Sequence, residues 1–335
     1  MDGLSPANKR GVDYKYIESP SQPDLVAHKN TVETDQETSL VQAVCRYALL
    51  TGDRSIFTEN VNGRSVLDRL DAALSFLMEH RFDKATGLIW GATTADWGDV
   101  QPEHVWGVEL DDASHLAVDI YDNAMFVIAL NDLLKTGLLR EERQDHWQVV
   151  KSSLEANIRK NLWDEDAQKF IPHVYLKSSP FPPDFDERAI YFHGGTAVAI
   201  EAGLLSLEEV RRSLEKMRAN VRAAGAATIG LTLYPPYPEG MFKNPSMAKP
   251  YSYQNGGDWA WFGGRMVQQL IRLGLVEEAL DALSPMLDQV IANNGFYEWY
   301  SRDNKPQGSG SYRGAAGVLY RAIVMLEEWA AASDK

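Results

Sequence analysis

Asn123-Ala124-Met125-Phe126-Val127-Ile128-Ala129-Leu130 is apolar nearly all the way round a helix, whereas the segment after it, 140–161, is apolar on one side only, through Trp147, Val150, Leu154 and Ile158. A helix with no polar face must be surrounded by protein, and a one-sided helix lies at a surface. The alternation extends in both directions. Gly195–Ile200 and Gly314–Tyr320 read as buried helices, and 62–80, 206–221 and 275–293 as half-buried ones. Regular alternation of this kind predicts an all-α fold, an (α/α)6 toroid in which each inner helix is followed by an outer one. Roughly nine or ten helices can be counted where a closed ring of six hairpins needs about twelve. Either the N-terminal tail and the loop near 163–192 supply short helices, or the toroid is incomplete.

Composition narrows the function. The chain has 335 residues and a formal charge of −14, with no cluster of Lys and Arg to meet phosphates, so a nucleic-acid partner is not expected. Cys45, the single cysteine, lies in an apolar run and reads as a core thiol. No His or Asp cluster has the spacing of a metal site. The start lacks a basic and apolar leader, and no uncharged apolar run is long enough to span a bilayer, so the expected location is cytoplasmic, away from membranes. Residues 1–30 are polar and proline-bearing and read as a tail or strap, leaving 31–335 as one catalytic domain.

If the inner helices run parallel, their N-terminal ends and long connecting loops converge on one pole. The polar and aromatic clusters fall there: Thr34-Asp35-Gln36-Glu37, Asp119-Ile120-Tyr121-Asp122-Asn123, Phe192-His193-Gly194-Gly195, Tyr253-Gln254-Asn255-Gly256-Gly257-Asp258-Trp259 and Ser309-Gly310-Ser311-Tyr312-Arg313-Gly314. Two stretches set carboxylates among rings. In the first, Trp90 is followed by Asp96-Trp97-Gly98-Asp99, within a loop too apolar to be a solvated connector. Asp96 reads either as a turn or cap residue or as part of the pocket. In the second, Glu298 stands between Phe296-Tyr297 and Trp299-Tyr300; burying it there requires a catalytic use or an ion pair with Arg302 or Arg313. Breaking a glycosidic bond needs one carboxyl to protonate the leaving oxygen and another on the opposite face of the ring, and aromatic faces suit the C–H surface of a pyranose.

At these residues the chain resembles the six-hairpin glycosidases, the superfamily that includes trehalase, processing α-glucosidase I, the glucosidase domain of debranching enzyme and plant-type neutral invertase. The resemblance covers about residues 31–330. Asp-Trp-Gly-Asp is similar to the loop whose Asp two places after the Trp is the family's acid, which implies Asp99 rather than Asp96. The Tyr253–Trp259 run resembles the sugar-lining box of the invertases, and Tyr297-Glu298-Trp299-Tyr300 the segment whose glutamate is the base. The implied function is inverting hydrolysis of a small glycoside, α-glucoside-like, with Asp99 as acid, Glu298 as base and no cofactor. Trp90, Trp97, Tyr253, Trp259, Trp261 and Trp299 are candidate walls, and Asp35, Gln36, Asp96, Gln254 and Asn255 candidate partners of sugar hydroxyls. An epimerase would need a basic residue such as His193 at the pocket, and a phosphorylase a basic subsite beside Glu298. A non-catalytic sugar-binding protein would not need the two carboxylates to face each other.

Overall fold

The computed structural model describes residues 33–105, 107–108 and 110–333, together with the backbone of three short antiparallel strands, Leu4–Pro6, Tyr16–Glu18 and Leu25–His28. The rest of the expected N-terminal strap lies outside the described residues. Nine helices follow: α1 (Gln36–Thr51), α2 (Val66–His80), α3 (Ile120–Lys135), α4 (Glu141–Leu162), α5 (His193–Ala202), α6 (Leu207–Ala224), α7 (Ala260–Arg272), α8 (Val276–Asn293) and α9 (Arg313–Ser333). Inner helices pack in succession, α1 on α3, α3 on α5, α5 on α7 and α7 on α9, while α2, α4, α6 and α8 lie outside them.

Local chemistry starts several of these helices. Ser65 caps α2 by accepting the Asp68 N–H, Asp119 caps α3 in the same way, and Ser206 with Glu209 forms a reciprocal capping box on α6. The α3 residues 123–130 are all buried, as a helix without a polar face requires, whereas α4 buries only Trp147, Leu154, Ile158 and Leu162. Two large apolar clusters result, one centred on α1 to α4 and one on α5 to α9. A third lies under the loops and includes Ala95, Val100, Phe192, Tyr237 and Phe242.

Among the described residues the arc holds five inner and four outer helices and does not close. The loop after α4 supplies a single short 3-10 turn, Glu187–Ala189, and small two-stranded pairings rather than a further hairpin of helices. The two ends of the arc carry the consequence: α1 leaves Leu40, Tyr47 and Leu50 exposed, and α9 leaves Tyr320 and Trp329 exposed. Deep between the inner helices, Arg46 of α1 bonds Asp132 of α3 (2.7 Å) and Glu201 of α5 (2.8 Å), and Arg265 of α7 bonds Glu201 (2.8 Å). Four inner helices are thereby tied by one ionic chain. Cys45 is buried and unbridged, and burial pushes its thiol up to about 12. Among the described residues no helix is long and apolar enough to cross a membrane.

Candidate active site

The heads of the inner helices meet at one pole. Tyr121, at the start of α3, donates its phenol to Asp35 at the start of α1 (2.9 Å). The start of α5 has no capping side chain of its own, and its N–H groups are met from a loop nearly a hundred residues away: Asp96 accepts from Gly194 (2.7 Å) and Gly195 (2.7 Å). Both glycines are needed for that approach. A Cβ at Gly194 would stand 2.5 Å from Trp97 Cδ1, and one at Gly195 2.5 Å from Ile120 Cγ2. Asp96 itself takes a left-handed backbone (φ 57°), which turns its carboxylate onto the helix end and sends the chain on to Trp97 and Asp99. Burial pushes the Asp96 carboxyl up while the two N–H donors oppose it.

Trp97 is the hub of the aromatic wall. Its ring lies 4.7 Å from Trp259, 5.5 Å from Trp261 and 4.6 Å from Phe262, and its indole N–H meets no acceptor among the described residues. Tyr253 continues the series to Trp259 and Trp299, and Tyr312 packs edgewise on Trp259. Beneath Trp97 a small cavity of about 30 Å³ is lined by Thr34, Asp35, Gly91, Trp97, Tyr121 and Asp122, among others. Burial dominates its carboxyls: Asp35 is raised, and Asp122 is raised well above the usual range, helped by the neighbouring Asp119.

Asp99 follows Gly98, a residue of the cavity lining. Gln254 donates its Nε2–H to Asp99 Oδ1 (2.9 Å) and accepts the Asp99 backbone N–H (3.3 Å). Glu298 comes from the far end of the chain, brought over because Asp258 and Tyr300 exchange backbone hydrogen bonds (2.9 and 2.8 Å). Its carboxylate accepts the Ser309 N–H (2.9 Å) and lies across Gly308, where a Cβ would come within 2.5 Å of Oε2. Glu298, Tyr253 and Trp299 line an outer cleft with Lys249 and Ser246. Asp99 and Glu298 both act electrostatically on Tyr253 and on Tyr312, whose phenols are raised chiefly by burial and then by these two carboxylates. Both carboxylates thus act on Tyr253, Glu298 from the lining of the outer cleft and Asp99 from beside Gln254.

The remaining expected residues are distributed unevenly. Asp35 and Trp97 line the cavity, and Trp299 and Tyr253 the cleft. Asp96 stands in the cavity wall, but its oxygens are turned to the start of α5. Asn255 is scaffold: fully buried, its side chain accepts the Tyr237 N–H and donates to the Tyr237 and Met247 carbonyls. Trp259 is 1 % exposed, with its indole N–H on the Tyr253 carbonyl, so it supports the wall from behind. Trp261 is half-buried beneath the Arg265 guanidinium, and Trp90 beneath that of Arg81. Gln36 bonds Glu33 at the rim (2.7 Å). Among the described residues Glu298 makes no ion pair with Arg302 or Arg313: its carboxylate accepts a backbone N–H, and Arg302 lies over Tyr251. His193 is buried with Asn220 against Nε2 (3.1 Å), and desolvation lowers it to about 3. Tyr121 and Asp122 were legible only as a polar cluster at a helix start, and Tyr312 only as part of a glycine-serine loop.

No family model matches the chain, and no curated protein sequence matches it either. Solved structures do. The GH78 rhamnosidase of Bacillus sp. GL1 superposes with a TM-score of 0.54 at 17 % identity, over 89 % of this chain and 27 % of that one. The GH63 mannosylglycerate hydrolase of Thermus thermophilus, solved with glucose, gives 0.54 at 14 % identity over 88 % and 77 %. The cellobiose 2-epimerase of Spirochaeta thermophila gives 0.54 at 12 % identity over 90 % and 74 %. The chain thus spans about a quarter of the rhamnosidase and about three quarters of the other two. At these identities the likeness concerns the backbone, and it establishes the fold as that of the (α/α)6 toroids, here an arc of five inner and four outer helices among the described residues.

Proposed function

We propose that this chain is a glycoside hydrolase that removes a neutral terminal sugar with inversion, Asp99 acting as general acid and Glu298 as general base. One observation carries the reading: carboxylates from loops 199 residues apart in sequence come together around Tyr253, Glu298 lining the outer cleft with it and Asp99 bonded to the adjacent Gln254. In this reading the Asp99 proton passes to the glycosidic oxygen as the C–O bond breaks toward it. Glu298 takes a proton from the water whose oxygen bonds the anomeric carbon from the opposite face. The outer cleft, about 400 Å³, has room for a pyranose ring, and the cavity beneath Trp97, about 30 Å³, has room for a water-sized group. The cavity's described lining includes Asp35 and Asp122 but no Lys or Arg, which favours hydroxyl-rich neutral sugars over phosphorylated ones.

Hydrolysis is favoured over epimerisation because no histidine is among the described residues lining either the cavity or the cleft, and His193 is engaged elsewhere. It is favoured over phosphorolysis because Lys249 is the one basic residue in the described lining of the cleft beside Glu298, and it is exposed. The neighbours' sugars set the panel: disaccharides and methyl glycosides of glucose, mannose and rhamnose, both anomers, incubated with and without inorganic phosphate. Proton NMR of the first-formed product should show free sugar of the inverted anomer. Sugar 1-phosphate, a C2 epimer, or a retained anomer would each overturn the proposal.

A further inference from the structure

We propose that Gln254 is a positioning residue for Asp99, its side-chain amide holding the Asp99 carboxyl in the orientation from which it delivers its proton. The proposal rests on the reading of Asp99 as the acid. The orientation of the amide follows from chemistry. The Asp99 backbone N–H can only donate, so the Gln254 oxygen must face it, and the Nε2–H group must face Oδ1. Oδ1 is then occupied as an acceptor, and the Tyr253 phenol is a second hydrogen-bond partner of the same carboxyl. When Asp99 acts as the acid, its proton passes to the glycosidic oxygen, which takes the electron pair of the breaking bond.

Gln254 is itself immobilised. It is 1 % exposed, its carbonyl accepts the Thr232 hydroxyl (3.0 Å), and it follows Tyr253, which holds a left-handed backbone at φ 47°. A non-glycine residue in that conformation stores strain that the surrounding contacts must support. Here they include Trp259 Nε1 on the Tyr253 carbonyl (3.0 Å) and the Gly257 N–H on the same oxygen (3.0 Å). A buried, two-point contact of this kind is a device for holding a carboxyl in one rotamer. The charged and titratable groups facing Asp99 are Asp35 at the head of α1, Tyr253 beside Gln254, and, through the shared tyrosines, Glu298 and Tyr312 before α9.

The test uses Gln254→Ala and the nearly isosteric Gln254→Glu in the full chain. Substrates are the methyl glycoside that the parent hydrolyses best and the matching glycosyl fluoride, whose leaving group needs no proton. Expected for Gln254→Ala are a fall in kcat of about tenfold or more on the methyl glycoside, little change in KM, and a fluoride rate within about threefold of the parent. In both variants the basic limb of the kcat profile should move to higher pH, because a donor to the ionised carboxylate is lost and, in Gln254→Glu, a second acid is placed beside it. The side-chain 13C titration of Asp99 should move the same way, and needs no substrate. Equal losses on both substrates with an unmoved limb would mean a merely structural role and overturn the proposal. So would an unchanged 13C titration in Gln254→Glu at the parent's melting temperature, which also decides the matter if the alanine variant unfolds. Failure of the underlying reading looks different: Asp99→Asn would then hydrolyse the methyl glycoside at the parent rate.

Discussion

Replacing Asp96 by Asn should destabilise the protein severely, although Asp96 and Asp99 are three residues apart and chemically identical. The Asp96 carboxylate receives two buried N–H groups at the start of α5, both at 2.7 Å. An amide supplies one acceptor and turns an NH2 toward the other N–H, so one charge-assisted bond becomes a donor facing a donor. Hydrogen bonds to a charged group contribute about 1.5–3 kcal/mol, and an unsatisfied buried N–H costs about 1–3 kcal/mol, giving roughly 3–5 kcal/mol in all. For a chain of this size that lowers the melting temperature by roughly 4–7 °C, measurable by circular dichroism or differential scanning calorimetry. Asp99 is half-buried and braced by Gln254, so Asp99→Asn should stay within about 1 kcal/mol of the parent. If Asp96→Asn melted with the parent, its carboxyl would be protonated in the fold and would not be the anion that caps α5. If Asp99→Asn were the destabilised one, the two roles would be exchanged.

Three further outcomes follow from the same geometry. Trp259→Ala removes a ring that is 1 % exposed and supports Trp97, so it should cost about 3–5 kcal/mol of stability in chemical denaturation, where a wall residue would cost mainly affinity. Gly308→Ala puts a Cβ 2.5 Å from Glu298 Oε2 at a φ of 68°, so kcat should fall by about tenfold or more with the fold retained, as followed by steady-state kinetics and melting temperature. Burial pushes Glu201 up, but Arg265 and Arg46 outweigh it and bring the group to about 2, below its ordinary 4.5. A depressed carboxylate contributes stability that is fully present above the unfolded pKa and is lost as pH falls through the folded one. The parent's advantage over Glu201→Gln, about 3 kcal/mol by linkage, should therefore disappear between about pH 5 and pH 2 in urea titrations.

The helical alternation was legible because it reports burial directly: a run such as Met125–Leu130 has no polar face to give to water, while 141–162 has one. Closure was not legible in the same way, since α1 and α9 are as apolar as the other inner helices, yet each end of the arc leaves part of that surface exposed. Within the site, carboxylates were easier to read than rings and amides. Asp96 and Asp99 differ by what lies opposite them, a helix end for one and Gln254 for the other, and that depends on contacts 98 and 155 residues away. Asn255 and Trp259 share their sequence neighbourhood with Tyr253, but the left-handed turn at Tyr253 and Gly256 sends them inward. Tyr121 and Asp122 escaped notice because polar residues at a helix start are ordinarily caps, and here Asp119 already fills that role.

The central claim, that Asp99 and Glu298 divide the acid and base work, is tested most directly by comparing Asp99→Asn and Glu298→Gln on a methyl glycoside and the corresponding glycosyl fluoride. The account predicts that Asp99→Asn loses a hundredfold or more on the methyl glycoside, on the order expected for a general acid, yet keeps most of its rate on the fluoride, whereas Glu298→Gln loses on both. Near-parent turnover of the methyl glycoside by both variants would contradict it.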